Sequence, residues 1–137
     1  AKLPQWLAAR RRNAAALDAG LAAIPGLRVV RPPREFGHAY YKYYAFAEPG
    51  LLAAGWDATR IIEAINAEGV PCFAGSCSEI YRERAFAERG WGPARRLPVA
   101  QRLGETSLMF LVHPTLGEAE MADTVGAVRK VMQAAAR

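Results

Sequence analysis

Ser107 to Val112, SLMFLV, limits the fold more than any other stretch, because it is apolar on both faces and reads as a fully buried strand. A strand of that kind calls for a sheet with other layers packed against it. Two long amphipathic helices are available to form them. Pro4 to about Ala23 repeats Leu7, Ala14, Leu17, Leu21 and Ile24 at three- and four-residue spacing, with Pro4 in the first turn. The last helix carries Met121, Val125, Val128 and Met132 on one face, and Thr115 with Glu118 three positions later predicts its capping box.

Between these helices the chain alternates. Leu27 to Arg31 predicts a short strand closed by Pro32-Pro33. His38 to Ala47, HAYYKYYAFA, predicts a longer one, with Tyr41, Tyr43 and Ala45 on one face and Tyr40, Lys42, Tyr44 and Phe46 on the other. Asp57 caps a helix bearing Ile61, Ile62 and Ile65, which Gly69 ends. Val70 to Phe73 follows as a strand, completing a strand-helix-strand unit. Glu79 to about Glu88 and Leu97 to Leu103 predict two short helices, separated by the breaker Gly90-Trp91-Gly92-Pro93. At 137 residues and 52% apolar content the chain is expected to form one domain, α/β or α+β, with a substantial core. No run approaches the roughly 18 apolar residues of a membrane span.

Gly69 to Phe86, GVPCFAGSCSEIYRERAF, has the mixture expected of a binding loop. Its strand runs into Ala74-Gly75-Ser76-Cys77-Ser78, where small residues allow close approach, and then into Glu79, Tyr81, Arg82, Glu83 and Arg84. The net charge of +5 favours anionic partners without choosing among them. Arg10-Arg11-Arg12 is expected to be mostly a solvated helix face, since consecutive residues point in three directions. Cys72 and Cys77 support neither a disulfide framework nor a zinc site and read as reduced cytoplasmic thiols. No phosphate loop, dinucleotide fingerprint, nucleophile elbow or zinc-protease helix is present. Cys77 with His38 or His113 lacks an orienting third group, and His113 before Pro114 reads as structural.

The order KLPQWLAARRRNAAAL, HAYYKYYAF, GVPCFAGSCSEIYRERAF and RLPVAQRLGETSLMFLVHPTL resembles the C-terminal small domain of the DegT/DnrJ/StrS sugar aminotransferases over nearly the whole chain. The resemblance implies a small sheet, antiparallel or mixed, flanked by helices, as in pyridoxal-phosphate enzymes of aspartate-aminotransferase fold. It implies a single domain over 1–137, with 1–24 as the interdomain helix. The larger N-terminal domain, which carries the cofactor lysine, would lie outside this chain. Lys2, Lys42 and Lys130 match no Schiff-base motif, so no catalytic, cofactor-binding or metal residue is expected here, and the chain alone is expected to be inactive and to bind no cofactor.

The parent would use pyridoxal phosphate to move an amino group, usually from glutamate, onto a nucleotide-linked keto sugar, as a cytoplasmic homodimer without nucleic-acid or membrane partners. Its products would feed polysaccharide and antibiotic-sugar biosynthesis. Tyr81 falls where relatives carry a substrate-contacting histidine, and Tyr41 where they carry histidine or tryptophan. The substrate-binding set thus expected is Tyr81, Ser78, Glu79, Arg82, Arg84, Tyr41 and His38. The alternative is a stand-alone α+β module that binds an anionic ligand through Arg82, Arg84 and the Ser76 to Ser78 loop.

Overall fold

The computed structural model describes residues 2–137. Five α-helices and four strands follow one another as α1 (Leu3–Leu21), β1 (Leu27–Val29), β2 (Tyr43–Ala47), α2 (Ala58–Ala67), β3 (Cys72–Phe73), α3 (Arg84–Ala87), α4 (Pro98–Thr106), β4 (Ser107–Phe110) and α5 (Glu118–Ala135). The strands form one antiparallel sheet in the order β1-β2-β4-β3. The last strand therefore inserts between β2 and β3, so the two arms of the strand-helix-strand unit flank it without touching. This is why the apolar stretch at 107–110 is buried at every position.

Register assigns the faces. Tyr43 opposes Phe110, Ala45 opposes Leu108 and Cys72 opposes Phe110, placing these side chains together on the core face. Against them pack Leu17 and Leu21 of α1, Ile61 and Ile65 of α2, and Val128 and Met132 of α5, all buried. Each such aliphatic side chain contributes about 1.5–3 kcal/mol of burial. The opposite face presents Tyr44, Phe46, Phe73, Ser107 and Met109. Tyr43 reaches back to α1, its hydroxyl donating to Asp18 Oδ1 at 2.8 Å, and burial pushes its pKa up.

Several boundaries differ from the sequence reading. The tyrosine strand begins only at Tyr43, because Tyr40 adopts the left-handed conformation (φ 47°) and breaks the extended run; Tyr41, expected beside Tyr43 on one face, is 77% exposed. The last helix is capped two residues later than Thr115: Glu120 Oε2 accepts from Gly117 N at 2.7 Å, while Thr115 Oγ1 pairs with His113 Nδ1 at 2.8 Å. Glu79 to Glu88 is not one helix, since Glu83 is extended and splits it into a 3-10 turn at Ile80–Arg82 and the short α3. α4 extends past Leu103 and runs directly into β4. Among the described residues no helix is long and apolar enough to cross a membrane.

Candidate functional site

The chain between β3 and β4 is a long excursion laid against the outer sheet face. Gly75 makes the first contact: its φ of 93° suits glycine, and a Cβ there would sit 2.5 Å from the Tyr44 ring. Ser76 N donates to the Tyr44 hydroxyl at 3.2 Å, and the Ser107 hydroxyl donates to the Ala74 carbonyl. Loop 74–78 is thereby held on the sheet. Facing it across a cleft of about 520 Å³ are Arg82, Glu83 and Arg96, together with Gln101 and Glu105 of α4.

Glu79 organises this cleft. Arg96 donates to both of its oxygens, Nε to Oε1 at 2.7 Å and Nη2 to Oε2 at 2.6 Å, in the fork geometry that makes such pairs strong. The Tyr81 hydroxyl donates to Oε1 at 2.6 Å and itself accepts from Leu97 N at 3.0 Å, and Arg82 stands 3.6 Å from Oε2. The Arg96 bonds, then the Tyr81 bond, hold the Glu79 carboxyl down at about 2. One carboxylate thus ties the start of the excursion to its far end. The polar groups that line the cleft besides Glu79 and Arg96 are Ser76, Ser78, Glu83, Gln101, Glu105 and Arg82, of which Gln101 donates to Glu105 at 2.8 Å. Hydroxyls, an amide and both signs of charge suit a polyhydroxylated molecule better than an apolar one.

Cys77 is poorly placed to act as a nucleophile. Its thiol donates to Glu83 Oε1 at 3.2 Å, and that bond raises its pKa, so the reactive thiolate is disfavoured. Burial pushes the Cys72 thiol up to about 12. Neither histidine meets Cys77: His38 Nδ1 accepts from Tyr40 N at 3.1 Å, and His113 is bonded to Thr115. Among the described residues no cluster of metal-ligating side chains forms.

A second loop, 38–41, is fastened by α1. Arg10 Nη1 donates to the carbonyls of Tyr40 (3.0 Å) and Tyr41 (2.9 Å), and Arg11 Nε donates to that of His38 (3.2 Å). Two of the three arginines expected to be solvated are therefore structural clamps. The reason is geometric: the loop crosses the helix where Arg10 and Arg11 emerge, a contact some thirty residues away in sequence.

The structure gathers Ser78, Glu79 and Arg82 around one cleft. Tyr81 lies behind it, with its hydroxyl spent on Glu79 and Leu97. Arg84 is outside the cleft, paired with Glu88 at 3.0 Å and almost fully exposed. His38 and Tyr41 belong to the clamped loop. Sequence reasoning passed over Arg96, Gln101, Glu105 and Tyr40 as site residues. Arg96 stands 17 positions from Glu79, and no local pattern marks such a partner.

A profile described as the DegT/DnrJ/EryC1/StrS aminotransferase family matches residues 1–129. The chain belongs to this family. Among solved structures it is similar to an aminotransferase from Psychrobacter cryohalolentis, at 46% identity and a TM-score of 0.86 over 96% of this chain and 35% of that one. The aminotransferase TlmJ from Streptoalloteichus hindustanus (24% identity, TM-score 0.80) matches 97% of this chain and 33% of its own. DesV from S. venezuelae, solved in complex with a ketimine intermediate (20%, 0.81), matches 96% and 33%. The last two bear on the fold alone. No curated protein matches the chain. It spans about a third of the length of the structures it resembles.

The residues here do not fit pyridoxal phosphate. A Schiff-base lysine must be shielded and poised beside the cofactor, with an acidic partner for the ring nitrogen. Lys130 is instead ion-paired to Glu68 at 2.6 Å on the surface, Lys2 is exposed, and Lys42 Nζ lies 5.5 Å from the Tyr41 ring centre.

Proposed function

We propose that this chain is the C-terminal small domain of a pyridoxal-phosphate-dependent aminotransferase that moves an amino group from glutamate to a nucleotide-linked keto sugar, in polysaccharide or antibiotic-sugar biosynthesis. In this reading residues 1–137 are one domain with α1 as the interdomain helix, and the cofactor lysine belongs to a larger N-terminal domain. The parent works as a cytoplasmic homodimer, and the chain alone is inactive. The observation that carries the reading is the family match over 1–129 in a chain spanning about a third of the length of its relatives. The polar cleft at 74–105 supports a sugar as ligand, since the side chains lining it offer hydroxyl, amide and charge.

Within that reading Ser78 and Arg82 bind and orient the sugar, and Glu79, held by Arg96 and Tyr81, keeps the loop in shape to do so. His38 and Tyr41 extend the substrate surface at the clamped loop, and Arg84 contributes only by long-range charge. The test is steady-state kinetics of the parent polypeptide with a nucleotide-linked keto sugar and glutamate. Ser78→Ala and Arg82→Ala are expected to raise KM more than they lower kcat, with kcat/KM falling roughly two- to twelvefold for each lost hydrogen bond. Wild-type kinetics in both variants, or turnover of non-sugar carbonyls only, would overturn the reading.

A further inference from the structure

The outer face of the sheet carries a second cleft, of about 290 Å³, between the Pro32-Pro33 segment and β2. Its walls are Pro32, Pro33, Tyr40, Tyr44 and Phe46, and Lys42 is among its lining groups. Aromatic faces are what a flat ring stacks on. The volume sits at the low end of ligand pockets, which start at roughly 300 Å³, and so suits one small ring system.

Charge is concentrated here. Residues 1–47 carry eight lysines and arginines against two carboxylates, whereas the other ninety carry ten against eleven. The whole positive excess therefore lies in the segment that builds this cleft and its clamps, and it attracts an anion. Arg31 is occupied by Asp18, at 3.6 Å, but Lys42 has no ion-pair partner among the described residues.

The wall at Tyr40 is built in advance. Its φ of 47° is one that a tyrosine seldom adopts and that persists only where the surroundings over-determine it. Those surroundings are the Arg10 and Arg11 bonds to the three loop carbonyls of His38, Tyr40 and Tyr41, and the His38 ring packed edge-on at 4.4 Å. We infer that this cleft binds a flat aromatic ring bearing an acidic group, with the ring against Pro32, Pro33, Tyr40, Tyr44 and Phe46 and the acid on Lys42. Tyr44 joins it to the polar cleft, since its ring walls one and its hydroxyl bonds Ser76 of the other. In the reading proposed above, the base and phosphate of the nucleotide occupy it. The inference rests on that reading for this link alone, because an aromatic carboxylate has the same chemistry.

The experiment is an NMR titration of the chain with uridine monophosphate, uridine, inorganic phosphate and 3-hydroxybenzoate. Uridine monophosphate is expected to shift the amides of Tyr40, Lys42, Tyr44 and Phe46, with uridine and phosphate each at least about fivefold weaker. Stronger binding of 3-hydroxybenzoate at the same amides supports the site and names a carboxylate as its source. Tyr40→Gly deletes the ring, which also packs against the core, at a backbone position glycine adopts freely; with the amides of Leu108 and Phe110 unshifted as the check on folding, affinity is expected to fall roughly five- to tenfold. Lys42→Gln weakens the acid-bearing probes and leaves uridine unchanged. Absence of shifts at these residues for all four probes, or wild-type affinity in both variants, overturns the inference. Because no sugar is present, that failure leaves the sugar reading standing, and failure of the parent to use sugars leaves this cleft standing.

Discussion

At the scale of single residues, Glu79 decides the shape of the candidate site, and it does so as an ion. Its carboxyl titrates at about 2 in the folded chain, against about 4.3 for an unperturbed glutamate. A depressed carboxylate contributes stability that is present above the unfolded value and lost as pH falls toward the folded one. The link from Glu79 to Arg96, Tyr81 and, through Tyr81, Leu97 is therefore expected to hold at neutral pH and to fail between about pH 4.5 and about 2. Hydrogen-exchange protection of the Leu97 amide measures it, because that N–H is held by the Tyr81 hydroxyl. Glu79→Gln is expected to remove the protection already at pH 7, while thermal unfolding of the core barely moves. Equal protection at pH 3 and pH 7 in the wild type would show that the carboxylate is not the tie.

At the scale of elements, α1 is more than a packing helix. Ala14, Leu17 and Leu21 enter the core, while Arg10 and Arg11 fasten loop 38–41 and Asp18 takes the Tyr43 hydroxyl. Asn13, buried on the same helix, donates through Nδ2 to the carbonyls of His113 (3.1 Å) and Leu116 (3.0 Å), tying α1 to the turn that precedes α5. Asn13→Ala leaves both carbonyls without this donor. A cost of about 1–3 kcal/mol is expected, read as a lower denaturant midpoint at unchanged slope. A loss under about 0.5 kcal/mol would mean that water replaces the amide at no cost.

At the scale of the whole molecule, stability is uneven by construction. The sheet and helices α1, α2 and α5 share one core, whereas nearly every residue from Arg82 to Leu97 is exposed or half-buried and held by polar ties. Segments with few apolar contacts open first. Limited trypsin digestion is expected to cut at Arg84, Arg89 and Arg95 well before Arg28, Arg60 or Arg129. Early cleavage within the core elements instead would show that the excursion is not the least stable part.

Apolar spacing located α1, α2 and α5, and an unbroken apolar run located the buried strand, because both are local properties that the chain carries whatever its partners: Leu17, Leu21, Ile61, Ile65 and Val128 are buried as their spacing predicts. The composition of Gly69 to Phe86 likewise marked the loop from which the polar cleft is built. The strand order β1-β2-β4-β3, the early end of the tyrosine strand and the partners of the charged groups were not legible in this way. Glu79 meets Arg96 across 17 positions, Arg10 meets Tyr40 across 30 and Asn13 meets Leu116 across 103. A charged or polar side chain has no preferred spacing along the chain. Which partner it finds follows from where the sheet order brings distant segments together, and only the tertiary structure holds that information.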